Sequence, residues 1–257
     1  MNRLSRIRFI RTQMSLKRPS IGSWMQLPHA SVAEIIGSAD FDWVAVDMEH
    51  GAISVHQLPD IFRALELAGA LPLARLAQAH PKDCKQVLDA GAGGVIVPMI
   101  ENADQLINLK DACRWPPSGK RGVGFSRANL FGKYFDTYFE EAQMPLLIAM
   151  IENYKAVSNL SEILAVNGLD AILIGPYDLS ASMGLTGEFE SPEFIACIDK
   201  ILKLCNLSNI PCGIHIIKPD PENLKLKINE GYLFLAYSID SVMLSEAASY
   251  ATNSNIL

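Results

Sequence analysis

The stretch WVAVDMEHGAIS, residues 43–54, joins an apolar run to a cluster of ionisable side chains. Its first four residues indicate a buried strand, and Asp47, Glu49 and His50 follow directly, before a turn at Gly51. Acidic residues are common at the start of a helix, where the unpaired N–H groups favour negative charge. Such a cluster therefore has a structural interpretation and a catalytic one, and the remaining sequence has to decide between them.

The composition and charge of the whole chain limit the possible classes of protein. With 257 residues, of which 49% are hydrophobic, the chain is long enough to bury a large core. Its formal net charge of −6 argues against a general binder of nucleic acid or of membrane surfaces. No apolar stretch approaches the roughly 20 residues that cross a bilayer. We therefore expect no nucleic acid partner and no membrane partner.

Residues 1–18 carry six basic side chains and no acidic one, against the balance of the whole chain. Charges interrupt their apolar residues, so no signal-peptide hydrophobic segment forms, and an amphipathic helix or a frayed basic arm is expected. The five cysteines lack Cys-x-x-Cys spacing, which suits reduced thiols better than a disulfide framework or a zinc site. These features predict a cytoplasmic protein.

Short apolar runs alternate with helical patterns along the chain. Runs that are apolar throughout are typical of parallel sheets covered on both faces. The segments between them carry helix-start signals such as Pro81, Ser191-Pro192 and Asp220-Pro221. This alternation predicts a (β/α)8 TIM barrel in a single domain over residues 1–257, with a doubly wound sheet as the alternative. The predicted strands are 20–26, 42–47, 71–76, 93–99, 145–152, 170–176, 211–217 and 232–238.

One connection is far longer than the others. The segment between the fourth and fifth predicted strands exceeds the few residues plus one helix that a barrel needs, and its extra part spans about residues 115–144. Its middle, PPSGKRGVGFSRANLFG, is rich in glycine and basic residues. Long structured loops often carry function. We expect this loop on the face of the barrel that holds the active site, where it would shape the substrate pocket.

A parallel barrel brings the carboxyl ends of all its strands to one face. Six of the predicted strands have an ionisable residue at or near that end, and an unpaired charge is costly to bury, so the accumulation favours a functional site. The residues concerned are Asp47, Glu49, His50, Arg75, Glu152, Asp178, His215 and Asp240.

Glu152 and Asp178 form the best candidate metal pair. Two carboxylates from neighbouring strands give a hard, oxygen-rich site that suits Mg²⁺ or Mn²⁺. Taken singly, Asp178 is equally well explained as an N-cap after Pro176, and Glu152 as an ordinary surface residue. Gly175 allows close approach of the backbone, so the N–H groups that follow it could hold a substrate carboxylate.

Arg75 and Asp89 each have two interpretations. Arg75 offers a planar set of donors for a carboxylate or an enolate oxygen, and it could also pair structurally with Asp47 or Glu49. Asp89 lies in the last turn of a predicted helix, where the helix dipole disfavours a negative charge. A hydrogen bond to a histidine would compensate that position, and an ordinary surface aspartate is the alternative.

Five separated motifs resemble the HpcH/HpaI aldolase family: FDWVAVDMEHG, ARLAQAHPKDCKQVLDAGAGGVIVPMIENADQ, GKRGVGFSRA, MIENYKAVSNLSEIL and AILIGPYDLSASMG. The resemblance runs from about residue 18 to about residue 250 with order and spacing kept. It implies a TIM barrel of the phosphoenolpyruvate/pyruvate type and a metal-dependent class II aldolase of 2-keto-4-hydroxy acids, a group that includes 2-dehydro-3-deoxyglucarate aldolase. It also implies a homo-oligomer, typically a hexamer (a trimer of dimers), that swaps its last helix and has active sites near subunit interfaces.

The resemblance implies a role for each candidate residue. Glu152 and Asp178 match the ligands of a divalent metal (Mg²⁺, Mn²⁺ or Co²⁺), and Arg75 matches the arginine on the keto oxygen of pyruvate. His50 matches the general acid/base, and Asp89 matches the aspartate paired with it. The remaining matches are Asp47 and Glu49 in supporting roles and Gly175, Pro176 and Tyr177 at the pyruvate carboxylate.

The chain departs from the family's pattern at three places. Met150 stands where a glutamine is frequent, and Ser126-Arg127 stands where many members have Ala-Arg. His215 occupies a position of the aldehyde pocket that is often apolar, which suggests a hydroxylated or charged aldehyde, such as one derived from a sugar. The metal and base residues match, so the departures concern the aldehyde rather than the type of reaction.

The resemblance implies a reversible retro-aldol cleavage to pyruvate and an aldehyde through a metal-stabilised enolate, the reaction of a carbon–carbon lyase (an aldehyde-lyase). One alternative is another metal-dependent enolate reaction, such as that of an acyl-CoA lyase or a phosphoenolpyruvate mutase. A second is a Schiff-base aldolase using Lys155 or Lys218, although their polar surroundings argue against an activated lysine. The third is a non-catalytic barrel subunit.

Overall fold

The computed structural model describes residues 2–253, and its eight strands close into a parallel barrel. The strands follow one another around the barrel in chain order, and the last returns to the first, where Ser20 pairs with Phe234. This closure confirms the (β/α)8 TIM barrel and excludes the doubly wound sheet. The strands are β1 Ser20–Met25, β2 Trp43–Asp47, β3 Leu71–Arg75, β4 Gly94–Val97, β5 Leu146–Ile151, β6 Ala171–Ile174, β7 Cys212–Ile216 and β8 Phe234–Ile239.

Among the described residues, one helix precedes β1, one follows β8, and the others lie in the connections between the strands. None of the described helices is long and apolar enough to cross a membrane. Short 3₁₀ helices lie at Val55–Gln57 and Arg127–Asn129. The α-helices are α1 Arg3–Ser15, α2 Ala30–Gly37, α3 Leu58–Ala68, α4 Pro81–Ala90, α5 Ala103–Cys113, α6 Phe135–Gln143, α7 Tyr154–Ser158, α8 Leu160–Leu164, α9 Pro176–Ser182, α10 Pro192–Ser208, α11 Pro221–Asn229 and α12 Asp240–Asn253.

The helix-start signals in the sequence act where they were expected. Ser191 caps α10 by accepting a hydrogen bond from Phe194 N–H, and Asp220 caps α11 by accepting from two backbone N–H groups. In both helices a proline occupies the first turn, where its missing N–H costs nothing. Local sequence therefore determines where these helices begin.

The basic amino-terminal segment is a packed helix and not a frayed arm. Ile7, Ile10 and Met14 of α1 are buried in the same apolar cluster as Trp43, which lines the barrel interior. The ring of Trp43 stacks on Phe234 with centroids 4.2 Å apart. Because α1 covers the amino-terminal end of the barrel within the described residues, we expect a substrate to enter from the carboxyl end.

The extra segment after β4 lies at the end of the barrel opposite to the predicted one. α5 first returns the chain to the amino-terminal end, where Trp115 N–H donates to the Ala142 carbonyl at 2.9 Å, shortly before β5. From this segment, Arg127 Nη1 donates to the carbonyl of Ala90 at the end of α4, at 2.9 Å. The prediction of a loop on the catalytic face is wrong because the helix comes before the insertion and not after it.

α12 leaves the barrel from the end of β8. It packs mainly against β1 and β8, and Leu244 and Tyr250 on it are exposed. The exchange of this helix between subunits stays a prediction.

Candidate active site

Asp47 and Arg75 form a buried ion pair at the carboxyl ends of β2 and β3. The two residues are in register on neighbouring strands, so their side chains enter the barrel at one level. Arg75 Nε lies 2.9 Å from Asp47 Oδ1 and Nη2 lies 3.1 Å from Oδ2, a bidentate geometry. Burial alone would raise the pKa of Asp47, but the hydrogen bonds and charge of Arg75 lower it to about 2. The structural interpretation of Arg75 is therefore correct, and a further role is compatible with it.

Glu49 and His50 lie on the turn that Asp47 organises. The Asp47 carboxylate accepts hydrogen bonds from the backbone N–H groups of Glu49 at 3.0 Å and His50 at 3.2 Å. The turn is so tight that a Cβ on Gly51 would come within 2.3 Å of the Asp47 carbonyl oxygen. Glu49 pairs with Arg75, and burial raises the Glu49 pKa. His50 remains exposed at the mouth of the barrel.

Glu152, directly after β5, is buried and is not the ordinary surface residue that the sequence allowed. Its Oε1 accepts a hydrogen bond from Met99 N–H at 2.6 Å, and within residues 2–253 it has no other hydrogen-bond partner. Burial raises the pKa of Glu152 to about 7, and the nearby charges of Glu49 and Asp178 act in the same direction. The Met99 N–H therefore holds the carboxylate in place, and no basic side chain of the described residues is hydrogen-bonded to it.

Asp178 reaches the same region from the first turn of α9. The helix begins at Pro176 and Gly175 is its N-cap, so the interpretation of Asp178 as the N-cap is wrong. Asp178 is exposed at the mouth, and its charge acts on Glu152. A Cβ on Gly175 would lie 2.9 Å from Glu152 Oε2, so the glycine lets the start of α9 lie against that carboxylate.

The charges at this end of the barrel do not balance. Arg75 is shared by Asp47 and Glu49, while Glu152 and Asp178 add two further carboxylates. Across the described residues, no group of three or more His, Cys, Asp or Glu side chains is placed to hold a metal ion. Two hard oxygen donors with uncompensated charge nevertheless fit a divalent cation that keeps positions for water and substrate.

His215 lies beside this cluster, inside the barrel. Its ring centroid is 4.7 Å from that of Trp24, and the Arg75 guanidinium carbon lies 5.7 Å from the Trp24 ring. Nε2 of His215 lies 3.2 Å from the carbonyl oxygen of Ser238. Burial lowers the pKa of His215 to about 4, so the ring is neutral at neutral pH. The structure thus brings His215 to the site as the sequence predicted.

Gln26 is a residue of the site that sequence reasoning missed. Its side-chain amide donates to Asp47 Oδ2 at 3.0 Å. Asp240, which the sequence marked only by position, accepts from the backbone N–H groups of Gln26 and Leu27, both at 2.8 Å. Asp240 thereby ties the end of β1 to the start of α12 and places Gln26. The one available signal was that Gln26 directly follows a strand, as Glu152 does.

Asp89 does not lie near His50 within one chain. It stands at the end of α4, which starts at the carboxyl end of the barrel and runs to the amino-terminal end. The helix rise places Asp89 about 12 Å from Pro81 along the axis. Burial raises the pKa of Asp89, against the charges of Arg121 and Lys85. A His50–Asp89 pair is therefore not formed inside one subunit and requires a second copy of the chain.

Lys155 and Lys218 lie outside the cluster. The side chain of Lys155 is 74% exposed and its Nζ lies 3.6 Å from Glu101. Lys218 is also exposed. Neither has the apolar, desolvated surroundings that activate a lysine for Schiff-base formation.

A closed parallel barrel that gathers carboxylates around one buried arginine at its strand ends belongs to a recognisable class, the barrel enzymes that stabilise an enolate with a divalent cation. The family model of HpcH/HpaI aldolase/citrate lyase matches residues 20–247. The chain belongs to this family, for which a divalent cation is a cofactor.

Similar proteins carry aldolase names. The hydroxypyruvate/pyruvate aldolase of Roseobacter denitrificans is 38% identical over 226 residues, 87% of each chain. The 2-dehydro-3,6-dideoxy-6-sulfogluconate aldolase of Pseudomonas putida is 37% identical over 91% of this chain and 92% of that protein. A solved HpcH/HpaI aldolase/citrate lyase family protein from Burkholderia cenocepacia J2315 has a TM-score of 0.89 and 28% identity, covering 95% and 97% of the two chains. The predicted family and a carbon–carbon lyase of the aldolase type are thereby confirmed.

Proposed function

We propose that the protein catalyses the reversible retro-aldol cleavage of a 2-keto-4-hydroxy acid to pyruvate and an aldehyde, by way of the pyruvate enolate. The observation that carries this proposal is the unbalanced cluster at the strand ends, in which one buried arginine lies among four carboxylates. The similarity to the two aldolases from Roseobacter denitrificans and Pseudomonas putida supports the same type of reaction.

Arg75 is proposed to hold the keto oxygen and to stabilise the enolate. Three of its N–H groups donate to Asp47 and Glu49. A guanidinium has five such donors, so two are left for a substrate oxygen. The bidentate contact with Asp47 fixes the plane of the guanidinium in advance. A preorganised donor in a buried site stabilises developing negative charge far more than water does.

Glu152 and Asp178 are proposed to hold the divalent cation, with Mg²⁺, Mn²⁺ or Co²⁺ as candidates. When bound, such a cation supplies Lewis-acid polarisation of the substrate's keto and carboxylate oxygens. The Met99 N–H orients Glu152, and Gly175 leaves room for it. The first N–H groups of a helix have no partner within it, so those at the start of α9, including Tyr177 N–H, are proposed to hold the substrate carboxylate.

His50 is proposed to remove the proton from the C4 hydroxyl of the substrate. It is exposed at the mouth of the barrel, next to Glu49, where an incoming substrate can reach it. When the C3–C4 bond breaks, C4 leaves in the aldehyde and the electron pair stays on C3 as the enolate, whose protonation gives pyruvate. Asp89 of a neighbouring subunit is proposed to orient His50, which agrees with the expected homo-oligomer.

Exchange of the pyruvate methyl hydrogens for solvent deuterium, followed by NMR, tests enolate formation without knowledge of the aldehyde. Metal-depleted protein should exchange only after Mg²⁺, Mn²⁺ or Co²⁺ is added, and Glu152→Ala or Arg75→Ala should abolish the exchange. Lys155→Met is the matched control and should exchange like the wild type. Absence of exchange in metal-replete wild type contradicts the proposal, and metal-independent exchange that requires Lys155 favours the Schiff-base alternative.

A further inference from the structure

His215 is a buried side chain that the proposed reaction does not use. Only 9% of it is exposed, and its ring packs against Trp24. Trp24 is in register with Ala45, two residues before Asp47 on β2, so Trp24 lies one interior layer below the Asp47–Arg75 pair. His215 therefore borders the place where the proposed keto acid would bind, on the side of the barrel interior.

The hydrogen bond of His215 decides its tautomer. A backbone carbonyl oxygen can only accept, so the Nε2 that lies 3.2 Å from the Ser238 carbonyl must carry the hydrogen. Burial lowers the pKa of His215 to about 4, so the ring holds a single proton at neutral pH. Nδ1 therefore presents a lone pair and acts as an acceptor.

Nδ1 of His215 is an acceptor without a protein partner. Within residues 2–253 no group donates a hydrogen bond to it, and it is not among the polar atoms that are fully sealed from solvent and unpaired. Polar groups in protein interiors almost always have a partner, from the protein, from water or from a ligand. An open acceptor beside a substrate site is suited to a hydroxyl group of the substrate.

We propose that His215 selects substrates with a hydroxyl group next to the reacting carbons, by accepting a hydrogen bond from that hydroxyl at Nδ1. This inference rests on the proposed function, because it takes the keto acid to bind at Arg75. The hydroxyl can belong to the enolate-forming acid, as in hydroxypyruvate, or to the aldehyde, as in glycolaldehyde. A neutral ring offers no charge to a carboxylate, so a charged aldehyde is disfavoured.

Two pairs of substrates of equal size separate the two sources of the hydroxyl. Hydroxypyruvate is compared with 2-oxobutanoate, and glycolaldehyde with propionaldehyde, by the ratio of kcat/KM within each pair. We expect wild type to favour the hydroxylated member of at least one pair about ten-fold, the worth of one neutral hydrogen bond. His215→Leu should bring that ratio close to one, and His215→Gln, which keeps a donor and an acceptor, should retain part of it.

Deuterium exchange into pyruvate, measured on the same variants, is the control, because it needs no additional hydroxyl. Unequal ratios that disappear in His215→Leu while this exchange continues support the proposal. Equal ratios for wild type and His215→Leu in both pairs overturn it, as does a His215-dependent preference for the anionic aldehyde glyoxylate over glycolaldehyde. If His215→Leu does not fold, His215→Gln and His215→Phe decide the same comparison. Absence of exchange in wild type instead refutes the proposed function itself.

Discussion

Charged side chains are paired at the amino-terminal end of the barrel and unbalanced at its carboxyl end. At the amino-terminal end, Arg3 pairs with Glu66 at 2.9 Å and with Glu141 at 2.6 Å, and Arg127 pairs with Glu66 at 2.7 Å. Two guanidinium groups there meet two carboxylates, and all four side chains are at most 18% exposed. At the carboxyl end, Arg75 is the one buried cation among the described residues at the four carboxylates of the candidate site.

We interpret the paired charges at the amino-terminal end as stabilising the fold, and the surplus carboxylates at the carboxyl end as binding a ligand. The balanced network joins α1, α3, α6 and the segment after α5, so each carboxylate there has a structural use. A buried charge without a partner destabilises the folded state. Among the surplus carboxylates at the carboxyl end, the buried Glu152 has no basic hydrogen-bond partner in the described residues, which supports the proposed divalent cation and can be tested at single residues.

Glu152 and Glu141 provide the sharpest test, because both are buried glutamates at opposite ends of the barrel. Glu152→Gln should reduce kcat/KM about a thousand-fold, since it removes a proposed ligand of the cation that stabilises the enolate. Its free energy of unfolding should stay equal or rise, because a buried carboxylate is lost. Steady-state kinetics and chemical denaturation of the same preparation measure both effects.

Glu141→Gln is the matched variant and should behave in the opposite manner. It leaves Arg3 with a weakened network, so the free energy of unfolding should fall by about 3 kcal/mol while kcat of the folded protein stays unchanged. The contrast between the two ends is wrong if Glu141→Gln lowers kcat as much as Glu152→Gln does. It is also wrong if Glu152→Gln destabilises the fold as strongly as Glu141→Gln.

His215 gives a second test, because it is a buried neutral base just below the unbalanced cluster. Its pKa is about 4 in the folded protein against 6.5 for an ordinary histidine, since burial disfavours the imidazolium. The unfolded chain therefore takes up the proton first as the pH falls. The free energy of unfolding should be level above pH 6.5 with respect to this group and should fall by about 3 kcal/mol between pH 6.5 and 4.

The effect is measured by chemical denaturation of wild type and His215→Leu at a series of pH values. The difference between their free energies of unfolding should change as the pH falls from 6.5 to 4. Parallel curves for wild type and His215→Leu would mean that His215 is not held neutral by burial.

The proposed His50–Asp89 pair requires the carboxyl end of one barrel to contact the amino-terminal end of a neighbouring barrel. Variants of these two residues test that contact. His50→Ala and Asp89→Ala should each be nearly inactive, because either change breaks the proposed pair. Oligomers that contain both variants in equal amounts should regain about a quarter of the wild-type activity, since random assembly restores both partners at that share of the interfaces. Co-expression with two different tags and assay of the doubly purified protein measures the effect.

Mixed oligomers that stay as inactive as either parent would refute a pair formed between subunits. Full activity of Asp89→Ala alone would show that Asp89 is an ordinary residue of the amino-terminal end, as its place on α4 allows. Either outcome would mean that the amino-terminal end of the barrel contributes nothing to an active site. Recovery of activity would show instead that the amino-terminal end of one subunit completes the active site of its neighbour.

Much of this architecture could be predicted from local sequence. The apolar runs matched the strands to within about two residues, because a strand covered on both faces must be apolar along its whole length. Proline and capping residues marked the starts of α4, α10 and α11 because those signals act on the neighbouring backbone alone. The residues at the strand ends followed from the geometry of a parallel barrel, which brings those ends to one face.

The location of the insertion and of Asp89 could not be predicted in the same way. Both depend on which end of the barrel the chain has reached, and one helix of about 15 Å moves it from one end to the other. The insertion follows α5, so it begins after the chain has returned to the amino-terminal end. Gln26 was missed for a related reason, since an uncharged side chain after a strand has no chemistry of its own until Asp47 lies beside it.

The sequence by itself determined the class of fold, the set of candidate residues and the family, because these follow from periodicity, from spacing and from motifs that are local in the chain. Only the tertiary structure decided which charges are paired and which are left over. Charge balance depends on distances between strands and helices that are far apart in sequence, such as the 2.9 Å from Arg75 to Asp47 and from Arg3 to Glu66. Those distances exist only after the barrel has closed.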